Sequence, residues 1–332
     1  MACLPSTYER SKHFSSCKKL MHIQHLICHP AHTQSQASRA VTIGNFDGVH
    51  RGHAAIFDAL TKHASAHQMV PTVVTFDPNP KTFFAAQRGQ PVPTRISPLR
   101  NKLELFKQHG IADVVILPFN QQLANMDAHD FVNHILVKAL NTQHLLIGDD
   151  FRFGAARKGD FALLQKLSST YGYTLASQHA FTQASERISS TAVRQAIAAG
   201  DMALAKILLG HDYVLSGHII YGQQLGRTIG VPTINLKMPD NLAAQGIFAV
   251  TVELSGQTHQ GVASIGTRPS VKTNGQCWCE VHLFDFNENV YGQIAKVTLH
   301  HKIRDEEKFN GMDALMNAIN HDIQLARAFF NN

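Results

Sequence analysis

The sequence has 332 residues, of which 44% are hydrophobic and 16% charged, with a formal net charge of +6. That length accommodates two domains with separate cores, and no apolar run reaches the ~18 residues of a membrane-spanning helix. The modest positive excess suits anionic small molecules, and no Lys/Arg run or basic–aromatic interleaving points to nucleic acid; neither a nucleic acid nor a membrane is an expected partner.

In chain order, the first 39 residues are rich in Ser, Lys, His and Gln and lack sustained periodicity. They show no apolar run ahead of a small-residue cleavage site, so they are not read as a signal peptide. Residues 1–39 are expected to form an N-terminal extension, poorly ordered over 1–20, with the start at either Met1 or Met21. His22, His25, Cys28, His29 and His32 lack a second pair at zinc-site spacing and are not read as a metal centre. The five cysteines, Cys3, Cys17, Cys28, Cys277 and Cys279, are odd in number and make no disulfide framework, which fits a cytoplasmic protein. Cys277 and Cys279 would share one face of a strand as small apolar residues.

Ala40–Ile43 reads as a buried strand, and Ala54 onward as a helix with Ile56, Phe57, Leu60 and Ala64 on one face. Between them runs Gly44-Asn45-Phe46-Asp47-Gly48-Val49-His50-Arg51-Gly52-His53. A Gly-rich turn from a strand into a helix start suits an anion, because the first helical N–H groups lack partners and the helix dipole favours negative charge there. Gly44, Gly48 and Gly52 allow close backbone approach, and His50 and His53, three apart, can face one ligand. The chemistry suggested is nucleotidyl transfer from a nucleoside triphosphate, with positive donors at the α-phosphate and no covalent intermediate. Neither GxxxxGK[ST] nor GxGxxG occurs in the chain.

Further strands are expected at 69–76, 113–117 and 144–147, with helices at 97–110 and about 128–140. The breaker-rich turn Asp77-Pro78-Asn79-Pro80 follows the first of these strands, and Gly148-Asp149-Asp150-Phe151-Arg152-Phe153-Gly154 follows the last. Alternating strands and helices argue for a Rossmann-like parallel sheet, whose ligands bind beyond the carboxyl ends of the strands. In Ile188-Ser189-Ser190-Thr191-Ala192-Val193-Arg194 the hydroxyls either cap a helix ending at Gly200 or, with Arg194, grip triphosphate oxygens. A second short helix is expected from Asp201 to Gly210.

From residue 211 the period changes. Short strand-like segments at 213–220, 248–254, 260–265, 278–284 and 295–300 suggest an antiparallel barrel or sandwich. A last helix carries Phe309, Met312, Leu315, Met316, Ile319 and Ile323, with both methionines expected in the core. Gly222, Gly226 and Gly230 make a flap around Arg227-Thr228 that leads into Val231-Pro232-Thr233-Ile234-Asn235. Thr and Asn oxygens are hard ligands suited to Mg²⁺ on a nucleotide. Glu280 alternates with Cys279 and Val281, on the face of Trp278 and His282. It is either a general base for a substrate hydroxyl or an exposed strand carboxylate.

With GNFDGVHRGH (44–53), TFDPNP (75–80), GDDFRFG (148–154), ISSTAVR (188–194), GRTIGVPTIN (226–235), GIFAV (246–250), IGTRPS (265–270), CEVHLFDF (279–286), YG (291–292) and KIRDEEKF (302–309) in this order, the chain resembles the bacterial bifunctional riboflavin kinase/FMN adenylyltransferase family, or FAD synthetase, over residues 40–330. The resemblance implies an α/β nucleotidyltransferase domain of the HxGH type, 40–210, whose segment 188–210 leads to the linker. A six-stranded antiparallel riboflavin kinase barrel with a C-terminal helix follows at 211–332. It implies substrates riboflavin, FMN, FAD and ATP, with Mg²⁺ accompanying ATP. His50 and His53 would meet the ATP phosphates within the loop of Gly44, Asn45, Phe46, Asp47, Gly48 and Gly52. Ser190, Thr191 and Arg194 would grip phosphate, and Asp150 and Phe151 would lie at the flavin. In the barrel, Gly226, Arg227, Thr228, Gly230, Pro232 and Asn235 would bind ATP. Thr233 and Asn235 would hold Mg²⁺, Glu280 would be the base, and Arg304 and Glu307 would shape the flavin side.

The chain departs from the family at Asn79, where PHP is common, at Ile234 in a motif usually PTAN, and at Ser270 where Thr is common. No residue assigned to chemistry is lost. Three rival readings stand beside this one. They are a nucleotidyltransferase for another alcohol or phosphate with a barrel that only binds, a flavin carrier without catalysis, and a protein retaining one of the two activities.

Overall fold

The computed structural model describes residues 21–25, 37–148, 150–178, 182–183, 186–222, 226, 230–267 and 276–331. The extension 1–20, Asp149, Arg227, Thr228 and Ser270 lie outside them. The α/β half runs through β1 (His22–His25), β2 (Arg39–Ile43), α1 (Arg51–Ala66), β3 (Val70–Asp77), α2 (Pro80–Gln87) and α3 (Leu99–Gln108). It continues with β4 (Asp113–Pro118), α4 (Gln121–Ala124), α5 (Ala128–Asp130) prolonged as a π-helix over Phe131–Ala139, β5 (Thr142–Gly148), α6 (Phe161–Tyr171) and β6 (Thr174–Gln178). A two-stranded ribbon, β7 (Thr182–Gln183) and β8 (Glu186–Arg187), precedes α7 (Ser190–Ala199) and α8 (Met202–Leu209).

The large sheet is parallel throughout, in the order β1-β4-β3-β2-β5-β6. Every residue of β2 is buried, as a central strand covered on both faces requires. Its alternate residues enter two cores: Val41 and Ile43 pack with Val74, Val115 and Leu145 on one face. Ala40 packs with Val73, Val114 and the Phe57 and Leu60 side chains of α1 on the other. The chain leaves β2 towards β3 on one side and later places β5 on its other side. The carboxyl end of β2 is therefore a topological switch point, the crevice where such sheets take ligands. Two strands extend beyond the four expected: β1 pairs in parallel with β4 at one edge and β6 with β5 at the other.

The second half is a closed barrel, β9 (Val214–Ile220), β10 (Ile234–Lys237), β13 (Cys277–Leu283), β12 (Gln257–Thr267), β11 (Gly246–Leu254) and β14 (Ile294–Arg304) in spatial order. Closure leaves no exposed strand edge. Its interior is filled by Leu215, Leu236, Phe248, Val250, Ile265, Cys279, Val281 and Val297, and this core is continuous with Ile96, Val193 and Ile197 from the α/β half. The last helix, α9 (Met312–Asn331), docks on the outer wall, where Ile247, Ala249, Val262 and Phe284 meet Ala326, Ile323 and Phe330. Met312 and Met316 are 57% and 36% exposed, contrary to the expectation that they are core. Met312 falls in the first turn of α9, and neither methionine belongs to the cluster that joins the helix to the barrel wall. Among the described residues, no helix is long and apolar enough to cross a membrane.

Candidate active sites

Beyond the carboxyl end of β2, the loop 44–50 folds on itself before α1 begins. The Phe46 ring turns back over Gly44, where a Cβ would stand 2.9 Å from it. That ring is 3% exposed and packs edge-on against His53, Phe57 and Phe106. Phe46 is thus placed as the floor of the loop. Gly48 adopts φ +80, and a Cβ there would overlap Ile96; it braces the loop from behind and is not among the residues facing the cavity.

His50 is the N-cap of α1, which has no side-chain cap and no acidic residue in its first turn. The first turn of α1 therefore keeps uncapped N–H groups and its positive dipole end. The His50 and His53 rings stack with centroids 3.6 Å apart. Burial lowers the His50 pKa to about 4, against the pull of its own backbone contact and Asp47. Burial, then the neighbouring His50 and Lys102, push His53 well below the ordinary value. Both shifts favour the neutral imidazole, which carries one N–H donor and one acceptor nitrogen.

A cavity of about 360 Å³ opens here, lined by Gly44, Asn45, Asp47, His50, Gly52 and His53 from the loop, Gly148, Asp150 and Phe151 after β5, and Ser190, Thr191 and Arg194 from α7. Of the three hydroxyls in Ser-Ser-Thr, one caps the helix. Ser189 is the cap, accepting from Ala192 N at 3.3 Å. Ser190 Oγ meets the Asp47 carbonyl at 3.4 Å, and Thr191 is exposed at the cavity. Four buried atoms of this site lack hydrogen-bond partners: Asn45 Oδ1, His50 Nδ1, His53 Nδ1 and Arg194 Nε. Native proteins pair nearly all such groups, so a cluster of orphans around one cavity marks where a polar ligand belongs.

Asp47 borders the cavity, but its carboxylate is engaged by the protein. Its carboxylate accepts from Ile96 N and Ser97 N at 3.1–3.2 Å and from Arg194 Nη2 at 2.9 Å. Lys102, absent from the sequence expectations, is buried behind the loop and donates to the Asn45 carbonyl at 2.9 Å and Thr75 Oγ at 3.2 Å. Burial lowers its pKa to about 8. Asn79 Oδ1 accepts from Lys81 N at 2.9 Å and caps α2, so this departure from the family serves a helix start at the cavity's rim.

The second site lies on the outer wall of the barrel. Strand β13 alternates as expected: Cys279, Val281 and Leu283 are buried inside, and Trp278, Glu280 and His282 face outward. Registry places Asn235 of β10 and Ser264 of β12 directly opposite Glu280 on its two sides, so three polar side chains form one row across the wall. Asn235 is buried, and its amide donates to the Thr233 carbonyl at 3.3 Å. Gly222 covers it, where a Cβ would meet the amide at 2.7 Å.

Two cavities flank this row. One, of about 340 Å³, lies between the wall and α9, with an apolar lining of Ile247, Val262, Phe309, Leu315 and Ile319. Its polar end carries Glu280, Ser264, Glu306, Arg304 and Glu307, with Gly226 beside them. The other, of about 390 Å³, is lined by Pro232, Thr233, Phe286, Asn287 and Tyr291. Thr233 belongs to both. Gly230 takes φ +76 in the flap. Arg304 is held bidentately by Asp322 at 2.8 and 2.7 Å and reaches Glu307 at 3.3 Å. Sequence reasoning missed Glu306. Its carboxylate accepts from Ser264 Oγ at 3.4 Å and sits where a Cβ of Gly266 would be. Burial, and then the Glu280 charge, raise its pKa. The Gly at 266, two residues after Ser264 on the same face, was the available signal.

Comparison with known proteins covers both halves. The FAD synthetase family model matches residues 32–192 and the riboflavin kinase family model matches residues 209–330. The bifunctional riboflavin kinase/FMN adenylyltransferase of Escherichia coli (strain K12) is 42% identical over 304 residues, covering 90% of this chain and 96% of that protein. The protein of the same description from Haemophilus influenzae is 40% identical over 295 residues, covering 88% and 94%. A crystal structure described as a macrolide-efflux protein from Streptococcus pneumoniae superposes with a TM-score of 0.71 at 29% identity, covering 92% of this chain and 99% of that one.

Proposed function

The chain belongs to the bifunctional riboflavin kinase/FMN adenylyltransferase family, and from that premise we propose how its two sites divide the work. It is an enzyme of flavin cofactor synthesis. It phosphorylates riboflavin with ATP to give FMN, then transfers AMP from a second ATP to FMN, giving FAD and pyrophosphate. We assign adenylyl transfer to residues 40–210 and the kinase reaction to 211–332.

In adenylyl transfer an FMN phosphate oxygen attacks the α-phosphorus of ATP and pyrophosphate leaves. No covalent step falls to the protein, whose part is to hold two anions in line and disperse charge. The α1 N-terminus and the neutral His50 and His53 rings meet the ATP phosphates. Arg194, fixed on one edge by Asp47, turns its unpaired Nε edge to the phosphates with Ser190 and Thr191. Asp150 and Phe151 border the flavin. The observation that carries this reading is the cluster of unpartnered Asn45, His50, His53 and Arg194 atoms around one cavity.

In the kinase reaction Glu280 takes the proton of the ribityl 5′-hydroxyl as the hydroxyl oxygen attacks the γ-phosphorus, the bond to the β–γ bridging oxygen breaks and ADP leaves. The apolar cavity under α9 suits the isoalloxazine, with Glu280, Ser264 and Glu306 at its polar end and Arg304 and Glu307 beside them. The cavity beyond Thr233 suits the nucleotide, approached by Gly226, Gly230 and Pro232. ATP-dependent enzymes of this kind use a divalent metal, and we propose Mg²⁺. The donor set fits it: Thr233 and Asn235 offer hard neutral oxygens, and the described residues contain no cluster of His, Cys, Asp or Glu able to cage a metal alone. Thr233 and Asn235 would hold the metal, which would supply charge neutralisation at the ATP phosphates when bound. A cytoplasmic location belongs to the same proposal, since Cys277 and Cys279 are buried free thiols, Cys277 raised to about 11 by burial.

Equilibrium binding of a non-hydrolysable ATP analogue with Mg²⁺ tests the assignment. Two analogues per chain are expected, falling to one in His50→Ala/His53→Ala. A single site in the unaltered chain contradicts it.

A further inference from the structure

The segment 93–97 runs between the two halves and directs its backbone hydrogen bonds to both. On one side Ile96 N and Ser97 N donate to the Asp47 carboxylate, which in turn holds Arg194. On the other side the Ile96 carbonyl accepts from Tyr213 Oη at 2.7 Å, a buried bond to a fully enclosed phenol. Arg95 is clasped by the barrel half at both backbone atoms, its N–H donating to the Asn241 carbonyl at 2.6 Å and its carbonyl accepting from Ala243 N at 2.8 Å. Asn241 Nδ2 adds a bond to the Pro93 carbonyl at 2.7 Å. A second contact reaches the anion loop directly: His211 Nε2 lies 3.2 Å from the Gly48 carbonyl. Gly48 also packs its Cα face on Ile96, leaving no room for a Cβ.

Tyr213 and His211 both fall in the stretch that matches riboflavin kinase, residues 209–330. From this geometry we propose that they are positioning residues for adenylyl transfer, and that the kinase half is a structural part of the adenylyl-transfer site. The relay is short. Tyr213 fixes the Ile96 peptide, the Ile96 and Ser97 N–H groups fix the Asp47 carboxylate, and Asp47 fixes the guanidinium whose other edge faces the nucleotide cavity. His211 fixes the Gly48 peptide at the turn before His50. Neither residue lines a kinase cavity, so their loss is felt at the other reaction. A catalytic guanidinium displaced by a fraction of an ångström loses rate more than affinity.

The proposal rests on the assignment of the β2 cavity to adenylyl transfer, and the test separates the two. In the full-length chain, FMN formation from riboflavin and FAD formation from supplied FMN are measured separately for Tyr213→Phe, His211→Ala, Asp47→Asn and the Tyr213→Phe/Asp47→Asn double variant. Loss of one neutral hydrogen bond from the relay is expected to lower kcat for FAD formation about fivefold, with KM for ATP little changed and FMN formation unaltered. In the Asp47→Asn background Tyr213→Phe is expected to cost nothing further, since the relay is already broken. His211→Ala, at a half-exposed site, reports the second contact should Tyr213→Phe lower the yield of folded protein. Equal losses in both reactions, no loss in either, or additive losses with Asp47→Asn overturn the proposal. If His53→Ala, run alongside, leaves FAD formation intact, it is the site assignment that fails.

Discussion

Beyond β2, two buried imidazoles, a helix N-terminus and a guanidinium surround one cavity; on the outer wall of the barrel, the Glu280 carboxylate stands in a row with an amide and a hydroxyl. The contrast follows from the nucleophile each site must serve. An FMN phosphate is already an anion and needs donors to bring it to another anion, so a base there would add nothing. A ribityl hydroxyl must shed a proton, so the barrel site needs a carboxylate within reach. On the proposed assignment the chain meets ATP twice, with donors at one site and a carboxylate beside neutral oxygens at the other.

The largest test of that contrast is Glu280→Gln. Removing the base is expected to lower riboflavin phosphorylation by about 10³-fold while FAD formation from supplied FMN persists; separate product assays read both, and a parallel loss breaks the contrast. His53→Ala is the mirror image, with FAD formation falling about 10²-fold and FMN accumulating. Gly266→Ala sharpens the barrel side. Its methyl displaces the Glu306 carboxylate, and a strain of about 1–2 kcal/mol is expected, read as a higher KM for riboflavin with adenylyl transfer unchanged; an unchanged KM would remove Glu306 from the site.

The smallest effect concerns acid stability. His50 and His144 are lowered by burial to about 4. Between that value and the ordinary 6.5 the unfolded chain binds protons that the folded chain does not. Stability is therefore full above pH 6.5 and is lost as the pH falls towards 4. The melting temperature should drop by several degrees from pH 7 to 5, and less so in His144→Gln, whose ring stacks on His63 with centroids 3.6 Å apart. A flat profile would contradict the buried neutral rings.

The strand–loop–helix of residues 39–66 was legible because its apolar pattern and its glycines act locally. The alternation that turns Glu280 outward was legible for the same reason. Strand β10 was read only as the tail of a glycine flap, since four residues carry too little period; its place comes from pairing with β9 and β13. Strands β1 and β6 sit at sheet edges, where half the pattern is polar and the signal fades. The inward role of Asp47 and the burial of Lys102 depend on residues roughly fifty positions away, and no local spacing encodes them. Glu306 was hidden in a charged run, and the bare backbone of Gly266 beneath it is what sets it apart from Glu307 in the sequence.

One chain is expected to carry two separable ATP reactions in series. A chromatographic time course with riboflavin, ATP and Mg²⁺ tests it most directly. FMN should rise first and then give way to FAD, with Glu280→Gln stopping the sequence at riboflavin and His53→Ala stopping it at FMN. FMN as the end product of the unaltered chain, or both products lost together in either variant, would contradict it.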